Sequence, residues 1–106
     1  MVRVTVVARS NENLYGQIVK RNLELGRKGK GTLYRSGKKQ KDFEKWAHLK
    51  HPGWIWFQKG MGGMVVALIN SKSADGEWQL LMSFVGFIDR HFRNDVANVV
   101  IAYVMK

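Results

Sequence analysis

Basic side chains are concentrated between Lys20 and Lys50, where eleven Lys or Arg residues stand against three acidic residues. This segment carries a net charge of +8 out of the +10 of the whole chain. Such a local excess of positive charge attracts polyanions and raises their rate of encounter with the protein. Nucleic acid is the commonest partner of this kind. The charge distribution therefore predicts a small basic nucleic-acid-binding protein.

The predicted contacts combine cations for the phosphates with aromatic rings for the bases. They are Lys20, Arg21, Arg27, Lys28, Lys30, Tyr34, Arg35, Lys38, Lys39, Lys41, Lys45, Trp46, Lys50 and Trp54. The glycines beside Lys28 and Lys30 would let backbone N–H groups approach a phosphate closely. The same lysines would also keep a small protein soluble without any partner, so charge alone leaves that interpretation open.

Aromatic residues are dense directly after this basic segment, since residues 46 to 57 hold three of the four tryptophans. Trp54 and Trp56 would share one face of a strand, about 6.6 Å apart by the rise of an extended chain. This spacing suits the stacking of two unpaired bases, which favours single strands or RNA over duplex DNA. The alternative is that both indoles pack in a core or in a dimer interface, as tryptophans usually do.

Two further functions stay open on the residues alone. His48 and His51 are candidates for acid–base catalysis beside Lys45 and Lys50, which would make the chain a small basic ribonuclease of the toxin type. The many Trp and Met residues would instead line a pocket in a dimeric small-molecule or protein-interaction module. We assign no catalytic residue and predict no metal or cofactor, because neither an HExxH pattern nor a cysteine is present.

The bulk composition sets limits on the class of protein. A chain of 106 residues with 45% hydrophobic residues forms one domain, residues 1–106, with a core of its own. The absence of cysteine excludes a disulfide-stapled scaffold and favours a cytoplasmic setting. No apolar run approaches the roughly 20 residues that cross a bilayer, so we expect no membrane partner.

Hydrophobic periodicity predicts the elements that position these residues. Strands are predicted at residues 2–6, 32–35, 54–58, 64–69 and 96–104. Helices are predicted at residues 12–25 and 77–93, with Ser10 or Asn11 capping the first and Ser73 or Asp75 the second. Residues 38–50 are ambiguous: the spacing of Phe43, Trp46 and Ala47 favours a short helix, but the same segment also alternates like a strand.

This succession of elements predicts an α+β fold, a two-layer sandwich of a mixed or antiparallel sheet and about two helices. A ferredoxin-like arrangement is the first expectation for its topology. The helix at residues 77–93 is apolar around more than one narrow stripe, which indicates burial on a second side. A homodimer would provide that burial and would bring two basic segments together.

Overall fold

The computed structural model describes residues 1–10, 13–38 and 40–104. It contains six strands and two long helices within these ranges. The strands are β1 (Val2–Ala8), β2 (Leu33–Arg35), β3 (Phe43–His48), β4 (Trp54–Lys59), β5 (Val65–Asn70) and β6 (Val96–Tyr103), and the helices are α1 (Leu14–Arg27) and α2 (Ala74–Phe92).

All six strands form one sheet in the order β2-β3-β4-β5-β1-β6, and every neighbouring pair is antiparallel. The first strand lies between the last two, so Val2 pairs with Ile69 on one side and with Tyr103 on the other. Strands β5 and β6 therefore run parallel to each other with β1 between them, and α2 connects them. The predicted α+β two-layer class is confirmed.

The ferredoxin-like expectation is not confirmed, because that topology has the chain order βαββαβ. Here four consecutive strands, β2 to β5, separate the two helices. One of these four strands, β3, comes from residues 38–50, where the helical spacing favoured a short helix. Trp46 of β3 pairs with Arg35 on one side and with Ile55 on the other. Pairing on both sides favours the extended chain over the helical spacing of the same residues.

Capping residues fix where each helix begins. The Asn13 side chain accepts a hydrogen bond of 3.1 Å from the N–H of Gly16 and caps α1. Asn11 and Glu12, at the predicted start of this helix, lie outside the described residues. Ser73 caps α2 by accepting from the N–H of Gly76 at 3.0 Å, as predicted, so the helix begins three residues earlier than its apolar periodicity indicates.

Both helices pack on the same face of the sheet, and the core lies between the two layers. Its largest members are aromatic: the Trp46 ring lies 4.8 Å from Phe57, and Phe84 of α2 contacts both rings. Tyr15 of α1 stacks on the other side of Phe57 at 5.0 Å. Burial, and then the negative charges of Glu44 and Asp42, raise the pKa of Tyr15 to about 12.

Gly53 in the turn before β4 is the glycine with least room for a side chain. Its φ is 114°, and an added Cβ would collide with the carbonyl oxygen of Asn70 and lie 2.8 Å from the Leu80 side chain. We expect Gly53→Ala to lower the free energy of unfolding by about 2 kcal/mol or more, measured by urea denaturation. Gly37→Ala is the matched control, because its φ is 88° but nothing lies within 4 Å; an equal loss in both variants would contradict the steric argument.

Candidate nucleic-acid interface

One face of the sheet carries no helix among the described residues, and we call it the open face. Side chains alternate along each strand, so residues on either side of a core residue project from this face. Its members are Arg3, Thr5, Val7, Tyr34, Phe43, Lys45, Ala47, Trp54, Trp56, Gln58, Val66, Leu68, Asn70, Asn98, Val100 and Ala102. It is rich in aromatic and aliphatic side chains although no second layer covers it.

Three aromatic side chains and one lysine form a cluster on strands β3 and β4 of the open face. Trp54 and Trp56 stand on the same face of β4, and Phe43 of β3 lies 5.2 Å from the Trp56 ring. The Lys45 ammonium is 4.8 Å from the Trp54 ring centre and 5.5 Å from that of Trp56. These distances are those of cation–π contacts, worth roughly 0.5–1 kcal/mol at exposed sites. The cluster therefore places a positive charge between two indole rings.

The charged side chains that the described strands place on the open face are both positive, Arg3 on β1 and Lys45 on β3. A row of paired residues crosses four neighbouring strands, from Lys45 through Trp56 and Leu68 to Arg3. None of the strand residues that project from this face is Asp or Glu. Trp56 is 37% exposed and Tyr34 is 46% exposed, so parts of both rings are accessible. Phosphates and unstacked bases would meet favourable groups along this row.

Ten of the fourteen predicted contacts fall into three sets, of which the first lies on the open face. Tyr34, Lys45 and Trp54 belong to it and lie on three neighbouring strands. Exposed Lys38 and Lys41 lie in the loop between β2 and β3, and exposed Lys50 in the turn between β3 and β4. Predicted contact Lys39 lies outside the described residues.

Trp46 and Arg35 form the second set, which points to the helices. Trp46 is 0% exposed, and its Nε1–H donates a hydrogen bond of 2.8 Å to Oε1 of the buried Glu44. The Arg35 guanidinium lies 3.7 Å from the other oxygen of this carboxylate. Trp46 is therefore a core residue rather than an accessible base contact, which corrects the prediction made for it. The alternation along β3 that exposes Lys45 buries its neighbour.

The third set of predicted cations lies in the helix layer, away from the open face. Lys20, Arg21 and Arg27 are exposed on α1, and Lys28 and Lys30 follow in the loop that leads to β2. Arg21 lies 3.6 Å from Glu24, one turn further along the helix. Although the basic segment is continuous in sequence, the fold distributes its charge over both sides of the sheet.

His48 and His51 come together beside the turn that follows β3. Their ring centres are 4.5 Å apart, and Nδ1 of His48 accepts a hydrogen bond of 2.9 Å from the N–H of Lys50. Burial, followed by the nearby charges of His51 and Lys50, lowers the pKa of His48. The side chain of His48 projects from the helix-covered face, because its partner in the register is the buried Leu33. A nucleic-acid strand bound on the open face would therefore not contact this pair of histidines.

Phe43, Trp56 and Arg3 were missing from the predicted contacts. The two-residue spacing of Trp54 and Trp56 in a strand places both indoles on one face. If Trp54 is a predicted contact, the sequence therefore predicts Trp56 as a contact too. Phe43 joins them only if residues 43–48 form a strand. Arg3 is 65 residues away from Leu68 in sequence, and only the pairing of β1 with β5 brings it into the same row.

No protein-family model, curated protein sequence or solved structure matches this chain. Within the described ranges, neither helix combines the length and apolarity needed to span a bilayer. Nor do three His, Asp or Glu side chains of the described residues converge as metal ligands would.

Proposed function

We propose that this protein binds single-stranded nucleic acid on the open face of its sheet. The observation that carries the proposal is the cluster of Phe43, Trp54 and Trp56 around the Lys45 ammonium, on a face with no helix over it. Bases stack on aromatic side chains whatever their sequence, because every base has a π-face. The cations supply the attraction for the backbone.

Single strands are favoured over duplexes by the shape and chemistry of this face. The aromatic rings lie on a broad sheet surface, and the bases of a duplex are stacked on one another and unavailable to such rings. Tyr34 extends the aromatic surface toward the sheet edge at β2, and Arg3 extends the positive charge toward β1. A nucleic-acid strand running from β2 to β1 would pass Tyr34, Lys45, Trp56 and Leu68 before it reaches Arg3.

The direct test is a titration with labelled oligonucleotides of single-stranded RNA, single-stranded DNA and duplex DNA, each at low and moderate salt. We expect tighter binding of the single strands, loss of affinity with added salt, and quenching of tryptophan fluorescence. Absence of single-strand binding at low salt would overturn the proposal. Salt-insensitive binding of a small molecule or a peptide would favour an interaction module, and cleavage of the RNA that is lost in a His48→Ala/His51→Ala variant would favour the ribonuclease.

The role of Lys45 predicts a change in salt dependence. Each phosphate neutralised on a single strand contributes about 0.7 to the slope of log affinity against log salt. We expect Lys45→Gln to weaken binding and to lower that slope by about 0.7. Lys72→Gln removes the same charge from an exposed lysine in the connection between β5 and α2. An identical change in the two variants would show that only the net charge matters.

A further inference from the structure

The two edges of the sheet differ in a way that bears on assembly. Strand β2 at one edge has three residues, one of them Arg35, and short or charged edge strands resist pairing with other chains. Strand β6 at the other edge has eight residues, Val96–Tyr103, without a charged residue or a proline. A long, uncharged and apolar edge of this kind is a template for another strand.

Backbone groups of β6 are directed out of the sheet. The N–H of Val104 donates to the carbonyl of Met1 at 3.0 Å, and inward and outward residues alternate along an antiparallel strand. The N–H and C=O groups of Val99, Ile101 and Tyr103 therefore point away from β1. Among the described strands β6 has no further neighbour, so these groups face outward along its free edge.

Apolar side chains surround this edge on both faces. Val100 is exposed on the open face, and Ile101 and Tyr103 are exposed on the helix side, where α2 does not reach over them. Most of the apolar surface of α2 is buried against the sheet within one chain. Trp78 and Met82 of α2 stay exposed, so the surface left for a partner lies at β6 and the adjoining side of α2.

A groove runs between α2 and β6 beside this edge. Its volume is about 510 Å³, and its floor is apolar, formed by residues such as Val85, Ile88 and Val99. Arg93 at its rim is held by two hydrogen bonds of 2.7 and 2.9 Å to Asp89. A partner strand added to β6 would extend the sheet under this groove and close it from the side.

We infer that a second copy of this chain occupies the β6 edge, joined by antiparallel β6–β6 pairing about a two-fold axis. Pairing of the edge with itself needs no separate complementary surface, because the strand is uncharged and apolar on both faces. The sheet would then be continuous through twelve strands, and the two open faces would form one surface. This inference does not depend on nucleic-acid binding.

The exposed area at this edge is in the range that a dimer needs. A standard interface buries about 800 Å² on each partner. Trp78 and Tyr103 are 55% and 69% exposed, and aromatic side chains of their size bury roughly 150–250 Å² when fully covered. These two residues therefore supply about a third of that area. The remainder comes from the edge backbone and the other exposed apolar side chains, namely Met1, Met82, Val100, Ile101 and Val104.

The position of the axis follows from the alternation of side chains. Residues directly opposite each other in an antiparallel pair project from the same face of the sheet. A two-fold axis passing between two neighbouring residues of β6 would instead set residues of opposite faces against each other. The two-fold axis must therefore pass through a residue. Ala97 is bulged opposite β1, whereas residues 98–104 are regular. If the longest possible stretch of β6 pairs with the same stretch of the second copy, the two-fold axis passes through Val100 or Ile101. The two copies of that residue would have Cα atoms about 4.5–5.5 Å apart, within the range that a disulfide bridges.

Single-cysteine variants test the pairing directly, because the natural chain contains no cysteine. We expect Val100→Cys or Ile101→Cys to give a covalent dimer under mild oxidation, and the dimer to disappear with reductant. Asn98→Cys is the matched control on the same strand. Its two copies would lie more than about 10 Å apart in either register, so no cross-link is expected. Equal cross-linking of all three variants would show random collision and overturn the inference.

Sedimentation of the unmodified protein provides the second readout. We expect dimer at micromolar concentration, strengthened by added salt because salt screens the repulsion between two chains of charge +10. Ile101→Lys, a charge on the edge strand, should raise the dissociation constant at least tenfold while urea denaturation shows a folded protein. A monomer at every concentration up to about 100 µM, together with no cross-link at either central position, would overturn the inference.

Discussion

Replacing Trp46 by alanine is expected to lower the free energy of unfolding by about 3–5 kcal/mol. This is a large part of the roughly 5–15 kcal/mol that stabilises a domain of ordinary size. Trp46 is the largest fully buried side chain, and its ring contacts Phe57, Phe84 and Phe87. Its removal leaves a cavity between the two layers. It also removes the indole N–H that binds the buried carboxylate of Glu44.

Two variants separate these causes. Trp46→Phe keeps much of the ring packing but loses the hydrogen bond to Glu44, so we expect a smaller loss of about 1.5–3 kcal/mol. Trp78→Ala removes the same side chain from an exposed position on α2 and should change the stability of one chain far less. Urea denaturation of the three variants at low protein concentration provides the comparison. A near-wild-type midpoint for Trp46→Ala would show that this tryptophan is not in the core.

Replacing both Trp54 and Trp56 by alanine should weaken the binding of single-stranded RNA at least about thirtyfold. Each stacked base is worth roughly 1–3 kcal/mol, and every 1.4 kcal/mol is a factor of ten in affinity. Neither indole belongs to the buried core, so both can be removed without a cavity between sheet and helices. Their removal also frees Lys45 from its two ring contacts. Anisotropy of a labelled oligonucleotide measures the change without relying on tryptophan emission.

The matched controls for this variant test whether stacking is responsible. Trp54→Phe/Trp56→Phe keeps an aromatic face at both positions and should retain most of the affinity. Leu23→Ala removes an apolar side chain of similar exposure, 40% against 37% for Trp56, from α1 on the other side of the sheet. It should bind as the natural protein does. Full affinity in the double alanine variant would show that the two indoles take no part in binding.

The local pattern of apolar and polar residues was sufficient to predict most of the secondary structure. Alternation along residues 2–6 and the 3.6-residue period along 77–93 predicted β1 and α2, since each element buries one continuous face. The segment at residues 43–48 was predicted wrongly for a physical reason. Phe43, Trp46 and Ala47 fit a helical face, and the choice is made by pairing with strands on both sides, one of them only three residues long. A pattern within six residues contains no information about those neighbours.

The candidate site was predicted less completely than the fold. Charge density in the sequence indicated a polyanion-binding surface, but it could not say which side of a sheet each lysine would occupy. Neighbours in β3 show the difficulty: Lys45 is on the open face, and Trp46 is in the core. Arg3 enters the same row as Trp56 through contacts of long sequence separation. Such contacts depend on the order of the strands in the sheet, which the local sequence pattern does not determine.

The position of β1 between β5 and β6 has a consequence for how the chain folds. Its two neighbours in the sheet begin at Val65 and Val96, so Val2 finds its partners 67 and 101 residues later. Most of the polypeptide must therefore be present before β1 can be paired on both sides. Contacts this distant in sequence slow folding, typically into the range of milliseconds to seconds for sheet-rich domains. During synthesis the first strand would emerge long before either partner, with an apolar surface in need of protection.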